Sequence, residues 1–143
     1  MFDKAHGSNA VLNGLWNTSP GKGIRLNGDG YVKMNTSFAP VLSTMDYTVE
    51  LWFKGDASQG NAILASNGKG DGAEADGSLN LFSFGFESGL LTFRNNGFRV
   101  QADGAYLDNK WHHVAIAVNR NGGIAQLLVD GLLNQFFDAK NLG

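Results

Sequence analysis

Cysteine is absent from the 143 residues. Disulfide frameworks and thiolate metal sites are thereby excluded, and a chain of this length, which can bury about 68–70% of its unfolded surface, needs no covalent staple. The lack of cysteine does not settle the compartment, because such a domain is stable in an oxidising medium without bridges. Proline is down to two residues, and no apolar run approaches the roughly 18 residues of a bilayer-spanning helix. The opening MFDKAHG lacks the basic and apolar regions of a secretory leader, so any export signal or anchor is expected to lie outside this chain. Positive charge is also scarce. Eleven Lys and Arg against 13 Asp and Glu give a net charge of −2, and the basic residues are scattered between Lys4 and Lys140. Nucleic acid is therefore not the expected partner.

Catalytic constellations are missing as well. A retaining glycosidase holds two carboxylates about 5–5.5 Å apart. Of the three glutamates, Glu50 and Glu87 have no acidic residue at i+2 or i+4. Glu74 has Asp76 at i+2, but in a glycine-rich stretch where a fixed geometry is hard to keep. No G-x-S-x-G elbow occurs. A non-catalytic protein is expected.

What is present is glycine, 20 residues of it, and ten phenylalanines, a composition suited to many short strands joined by tight turns. Helix signals are weak throughout. Ile24 and Leu26 share a face, Asn27-Gly28-Asp29-Gly30 supplies turn chemistry, and Val32 and Met34 share a face again, which predicts a first hairpin. In YTVELWFK, Val49, Leu51 and Phe53 alternate with Thr48, Glu50 and Trp52. A strand over 61–66 is followed by a polar loop and then by LNLFSFGF, with Phe82, Phe84 and Phe86 on one face. Leu91 and Phe93, then Asn95-Asn96-Gly97, then Phe98 and Val100 imply another hairpin. Near the end, 111–118 and 124–129 flank the polar turn Asn119-Arg120-Asn121-Gly122-Gly123, and Asp130-Gly131 leads into 132–137. The count is roughly ten strands at sandwich spacing. Period-2 alternation assigns Val49, Leu51, Phe53, Phe82, Phe84, Leu127 and Val129 to a common core.

Three features could carry chemistry. His112 and His113 are adjacent, so on a strand they point to opposite faces and cannot share one metal. A histidine hydrogen-bonded inside or at the rim of the sandwich, holding the hairpin, is favoured over a ligand. Trp52 and Trp111 read as aromatic fillers of a β core, although strict alternation sets Trp52 opposite Val49, Leu51 and Phe53. The loop 67–78 holds Asp71, Glu74 and Asp76 among glycines, which is a candidate calcium site. Calcium takes six to eight oxygens, so backbone carbonyls and water would have to complete the shell. The twelve-residue acidic loop pattern is absent, and a solvated turn is the favoured alternative.

Gly23, Leu26, Gly28, Tyr31 and Val32; Thr48, Val49, Glu50 and Trp52; Trp111, His112, His113, Val114 and Ala115; and Val129, Asp130 and Gly131 occur in an order and spacing that resemble laminin-G-like, concanavalin-A-like jelly-roll domains, relatives of the pentraxins. The resemblance covers most of the chain. It implies an all-β, two-sheet antiparallel β-sandwich, a jelly roll, with 1–143 as a single laminin-G-like domain. It also strengthens the calcium alternative, because many relatives bind calcium at a loop rim. Members usually continue past the V-D-G turn with two further strands, and this chain stops at Leu142-Gly143 before either. It therefore reads as truncated, split or completed by something else: a second polypeptide, exchange between two copies in a homodimer, or residues 2–15 doubling back.

The expected function is a non-catalytic recognition module within a larger secreted or surface protein, located outside the cell or at its surface. Carbohydrate is the first-choice ligand, with Tyr31, Trp52, Asn95, Asn96, Asp103 and Tyr106 as candidate contacts. A protein-binding adhesion module and a structural spacer are the alternatives.

Overall fold

The computed structural model describes residues 10–14, 16–19, 23–26, 30–34, 45–67, 82–95 and 97–142. The chain divides into two compact units, Met1–Pro40 and Val41–Gly143. The loop candidates Asp71, Glu74 and Asp76, and the proposed contact Asn96, lie outside the described residues.

Among its described residues the first unit has four short strands, β1 (Ala10–Asn13), β2 (Trp16–Ser19), β3 (Gly23–Leu26) and β4 (Tyr31–Met34). Here the expected hairpin is corrected. Ile24 and Leu26 do not pair with Val32 and Met34; β3 pairs antiparallel with β2, from Trp16↔Leu26 to Ser19↔Gly23, and β4 pairs with β1, from Ala10↔Met34 to Asn13↔Tyr31. The inner pair is nested within the outer one. Two turn signals compete for β3, Pro20-Gly21 before it and Asn27-Gly28-Asp29-Gly30 after it, and pairing follows the Pro-Gly side.

The second unit is a sandwich of two four-stranded antiparallel sheets. Its strands are β5 (Tyr47–Asp56), β6 (Ala62–Ser66), β7 (Phe82–Glu87), β8 (Leu90–Asn95), β9 (Phe98–Gln101), β10 (Asp108–Asn119), β11 (Ile124–Val129) and β12 (Leu132–Asp138). One sheet has the order β12-β11-β10-β5 and the other is the meander β6-β7-β8-β9. The chain thus leaves the first sheet after β5 and returns to β5's side with β10.

Tight turns follow local chemistry. Asp130 (φ 52°) and Gly131 (φ 79°) join β11 to β12, and Ser88 (φ 51°) and Gly89 (φ 82°) join β7 to β8. Two consecutive left-handed residues are what a twist-compatible two-residue hairpin requires. After β5, Asp56 caps a single 3-10 turn, Ala57–Gln59, its carboxylate accepting from Ser58 N at 2.9 Å while Gln59 Oε1 accepts from Asp56 N at 3.1 Å.

The core lies between these two sheets. Phe53, Val114, Ile116, Val118, Leu127 and Val129 face Phe84, Phe86, Leu91 and Phe93, all buried. Phe53 packs edge-on against Phe86 across the sandwich (centroids 5.2 Å), and Phe98 meets Phe137 at 5.0 Å. Of the expected core, Phe53, Phe84, Leu127 and Val129 are buried, whereas Val49, Leu51 and Phe82 are partly buried against it. The period-2 pattern fixed which side of each strand turned inward.

Candidate functional site

Adjacent residues of β10 point to opposite sides of the sheet, and the two histidines divide accordingly. His112 shares the inward parity of Val114 and Ile116 and sits at the rim of the core, 5.7 Å from the Phe53 ring and 5.3 Å from Tyr106. Its Nδ1 is 2.8 Å from Asp130 Oδ2 and its Nε2 is 3.0 Å from Asp108 Oδ1. Burial alone would depress the imidazole pKa, but the hydrogen bonds to Asp130 and Asp108 outweigh it and leave the value raised. Asp108 is held well below the usual carboxylate range by Lys110 and then His112, and Asp130 is lowered chiefly by His112. Asp130 also accepts from His113 N at 2.9 Å and returns its own N–H to His113 O at 2.8 Å. This is the hairpin-holding histidine that the sequence suggests, with both ring nitrogens paired to carboxylates.

His113 faces outward with a different set of neighbours. Its register partner on β5 is Trp52, with the two rings tilted at 49° and 5.1 Å apart, and its Nε2 is 3.6 Å from Glu50 Oε2. Trp111 shares that outward parity and stands one row further along, opposite Lys54. Trp52 is 64% exposed and Trp111 49%. The core-filler reading is therefore corrected for Trp111, and for Trp52 the outward side that strict alternation assigns it is the one it takes. Each has the parity that faces away from Phe53 and Val114, and on an open sheet face that parity leads to solvent.

Further along the same outer face the relief changes. On β10 the outward residues are Ala115 and Ala117. Ala115 lies between Glu50 on β5 and Leu128 on β11, and Ala117 between Thr48 and Gln126. Ala115 is buried beneath these neighbours and Ala117 half-buried. Beside Ala117 the face carries a depression of about 450 Å³ lined by Asp46, Thr48, Ala117, Asn119, Ile124 and Gln126. Phe136, 62% exposed, is the register partner of Gln126 on β12. Sequence reasoning missed this depression. Its one legible signal was Gln126, the only polar residue in the strand IAQLLV.

Within the second unit the described candidates Trp52, Asn95, Asp103 and Tyr106 do not share one surface. Tyr31 is 53% exposed but belongs to the first unit. Asn95 is buried in the second unit, at 2% exposure, where its Nδ2 donates to Tyr47 Oη at 3.3 Å, so it presents no surface to a ligand. Asp103 and Tyr106 do come together, but as part of a structural tie. Tyr106 Oη donates to Asp103 O at 2.6 Å and accepts from Asn134 Nδ2 at 2.9 Å, and Asn134 Oδ1 accepts from Asp103 N at 2.8 Å. Asn134 is the extra residue where the β11–β12 register shifts between Leu127 and Leu128, and the bulge aims its side chain at the β9–β10 connection. Tyr106 rests on His112, inward, while Trp52 rests on His113, outward. Of the described candidates in the second unit, Trp52 alone stands on the exposed outer face of the β12-β11-β10-β5 sheet.

Among the described residues no three His, Asp or Glu side chains converge in a way that could hold a metal ion. No described helix is long and apolar enough to cross a membrane.

The model of a laminin-G-like family described as the concanavalin A-like lectin/glucanases superfamily matches residues 26–139. No curated protein gives a significant match.

Proposed function

Since the chain belongs to the laminin-G-like branch of the concanavalin A-like lectin/glucanases superfamily, a group of carbohydrate- or protein-binding modules, we propose that it is a non-catalytic carbohydrate-recognition module whose ligand rests on the outer face of the β12-β11-β10-β5 sheet. The setting we propose is a larger secreted or cell-surface protein. The observation that carries this is the placement of Trp52 against His113, with Trp111 one row away, all on one exposed sheet face. A large exposed aromatic without a core to fill is the informative departure from burial. Its apolar face suits the C–H side of a pyranose, and the polar groups around it, Glu50, His113 and Lys54, suit the hydroxyls.

The superfamily also contains glucanases, and the carboxylate pair Glu50 and Asp46 on this face does not suit that role. Glu50 and Asp46 are four residues apart along β5 and its lead-in, about 13 Å at strand spacing, beyond both the retaining (about 5–5.5 Å) and the inverting (about 6.5–9.5 Å) separations.

A protein ligand is the second reading. Leu132, Leu133 and Phe136 of β12 are 74%, 56% and 62% exposed, which adds apolar surface to the same sheet. A glycan array probed with the full chain and with Trp52→Ala, each with and without calcium, separates the two. Carbohydrate recognition predicts a defined set of glycans that Trp52→Ala loses while its melting curve stays put. An array with no binding at all would leave the protein-ligand reading standing alone.

A further inference from the structure

Trp111 reaches the outer face through an irregularity in β10. Asp108 is the register partner of Asp56 on β5 and Trp111 that of Lys54, so the β10 segment between them holds one residue more than β5 does. Asn109 takes up the mismatch in a left-handed conformation, φ 64°, which asparagine tolerates better than most residues. The extra residue interrupts the ladder, and Asp108, Asn109, Lys110 and Trp111 are all exposed, so neither regular pairing nor packing fixes the bulge. Side chains have to do so.

Those side chains form one continuous chain of contacts. Asp108 Oδ1 accepts from Lys110 N at 3.0 Å and stands 3.0 Å from His112 Nε2, and Asp108 Oδ2 is 2.9 Å from Lys110 Nζ. On the other side of the ring, His112 Nδ1 is 2.8 Å from Asp130 Oδ2. Asp130 is anchored in the β11–β12 turn, its Oδ1 accepting from His113 N at 2.9 Å and its N–H donated to His113 O at 2.8 Å. The Lys110 side chain is 76% exposed, so its ion pair is screened, whereas the His112 side chain is only 12% exposed. The imidazole is therefore the shielded tie between the fixed turn and the bulge.

The charges around this ring are mostly negative. Asp108 faces it from β10 and Asp130 from the turn, Lys110 pairs with Asp108, and Asp56 on β5 is opposite Asp108. Tyr106, which packs on the ring at 5.3 Å, donates its hydroxyl to the backbone of Asp103. Phe53, the register partner of His112, and Phe86 of the opposite sheet bring no charge. A protonated imidazole donates to both carboxylates; a neutral one keeps a single N–H and turns a lone pair toward the other. Asp108 retains Lys110 as a partner when the ring lets go, so the contact to Asp108 is the one surrendered.

We propose that protonated His112 is a pH-sensitive clamp on the Asp108–Trp111 bulge, so that the aromatic outer face is held in shape in a mildly acidic medium and loosens at Trp111 as the medium turns alkaline. This rests on the outer-face reading above and adds regulation to it. The two carboxylates raise the proton affinity of the ring, so the clamp is closed below the folded pKa of His112 and opens as pH rises through it.

The test follows Trp111 in the full 143-residue chain carrying Trp16→Phe and Trp52→Phe, so that one indole reports. Fluorescence anisotropy decay separates local motion of the indole from tumbling of the whole molecule. Local motion should be small near pH 5.5 and rise in a single step toward pH 8.5, with acrylamide quenching rising in parallel and with the midpoint of the His112 ring resonances in NMR. His112→Gln should show the larger motion at both ends of the range, and Asp108→Asn, an exposed change that removes the charge but keeps an acceptor, should shrink the step. His113→Gln should leave the step in place. Indole motion that is flat with pH, or a step of wild-type size in either His112→Gln or Asp108→Asn, would overturn the clamp. Loss of the step in His113→Gln would overturn it as well, by assigning the titration to the outer imidazole. No ligand enters these measurements, so a failed clamp leaves the carbohydrate reading standing, and a glycan array without binders removes that reading while the clamp stands.

Discussion

His112 Nδ1 lies 2.8 Å from Asp130 Oδ2, which ties the first part of β10 to the turn that closes β11 on β12. With Asp108 at 3.0 Å from Nε2, the ring stands between two acceptors. Only the protonated imidazole can donate to both; a neutral ring turns one lone pair toward a carboxylate.

A pH dependence of stability follows. The folded pKa of His112 is raised above its ordinary 6.5, so its contribution is fully present below about pH 6.5 and is lost as pH rises through the folded value. Asp108 and Asp130 have folded values lowered from 3.8, so theirs is present above that pH and lost as pH falls through the folded values. The three act together in the mildly acidic window between. The melting temperature should be higher near pH 5.5 than near pH 8.5, and His112→Gln should flatten that slope. Equal slopes in the two proteins would show that the staple is not what titrates.

The bulge residue Asn134 makes three hydrogen bonds to the β9–β10 connection, two to Asp103 and one to Tyr106. Asn134→Ala would leave the Tyr106 hydroxyl and the Asp103 backbone groups to find water. A loss of about 1–3 kcal/mol in denaturant unfolding is expected. Asn134→Asp should recover part of it, because the acceptor toward Asp103 N is retained.

Much of this architecture was legible in the chain, and the parts that were not share a physical reason. The alternation of Val49, Leu51 and Phe53 against Thr48, Glu50 and Trp52 fixes the faces of β5, because a half-buried strand writes its two environments at every second residue. Asp130-Gly131 announces its own turn, since few residue pairs accept two left-handed conformations in succession. The partner of β3 was misread because turn residues flank it on both sides. The depression is a property of three strands at once, since Ala117 is unremarkable until the register sets Thr48 and Gln126 on either side of it. The Asn134 tie depends on a register shift that β11 and β12 settle only when packed. Asn95 looked like an exposed turn amide beside Gly97, yet its parity on β8 carries it into the core with Leu91 and Phe93.

Gly85 illustrates a backbone approach that no side chain tolerates. A Cβ at this position would stand 2.2 Å from the Ala62 carbonyl oxygen and 3.0 Å from Ile63 Cα, where β6 and β7 shift register. Both obstacles are main chain and cannot rotate away. Gly85→Ala should therefore destabilise the sandwich by at least the 1–3 kcal/mol typical of overpacking, visible as a lowered denaturant midpoint. A wild-type midpoint would mean that β6 can move aside without cost.

Trp52 and Phe53 are neighbours in sequence and should give opposite results. Phe53 is 6% exposed and packs against Phe86 of the opposite sheet and the His112 ring, so Phe53→Ala opens a cavity between the sheets. A loss of about 3–5 kcal/mol is expected, a large part of the roughly 5–15 kcal/mol of a typical domain. Trp52 is 64% exposed and touches the His113 ring on the open face, so Trp52→Ala should stay within about 0.5 kcal/mol of wild type in unfolding. Paired chemical denaturation of the two variants measures this directly. A Trp52→Ala loss as large as that of Phe53→Ala would show that the outer face is covered in solution, and the ligand site would have to be sought elsewhere.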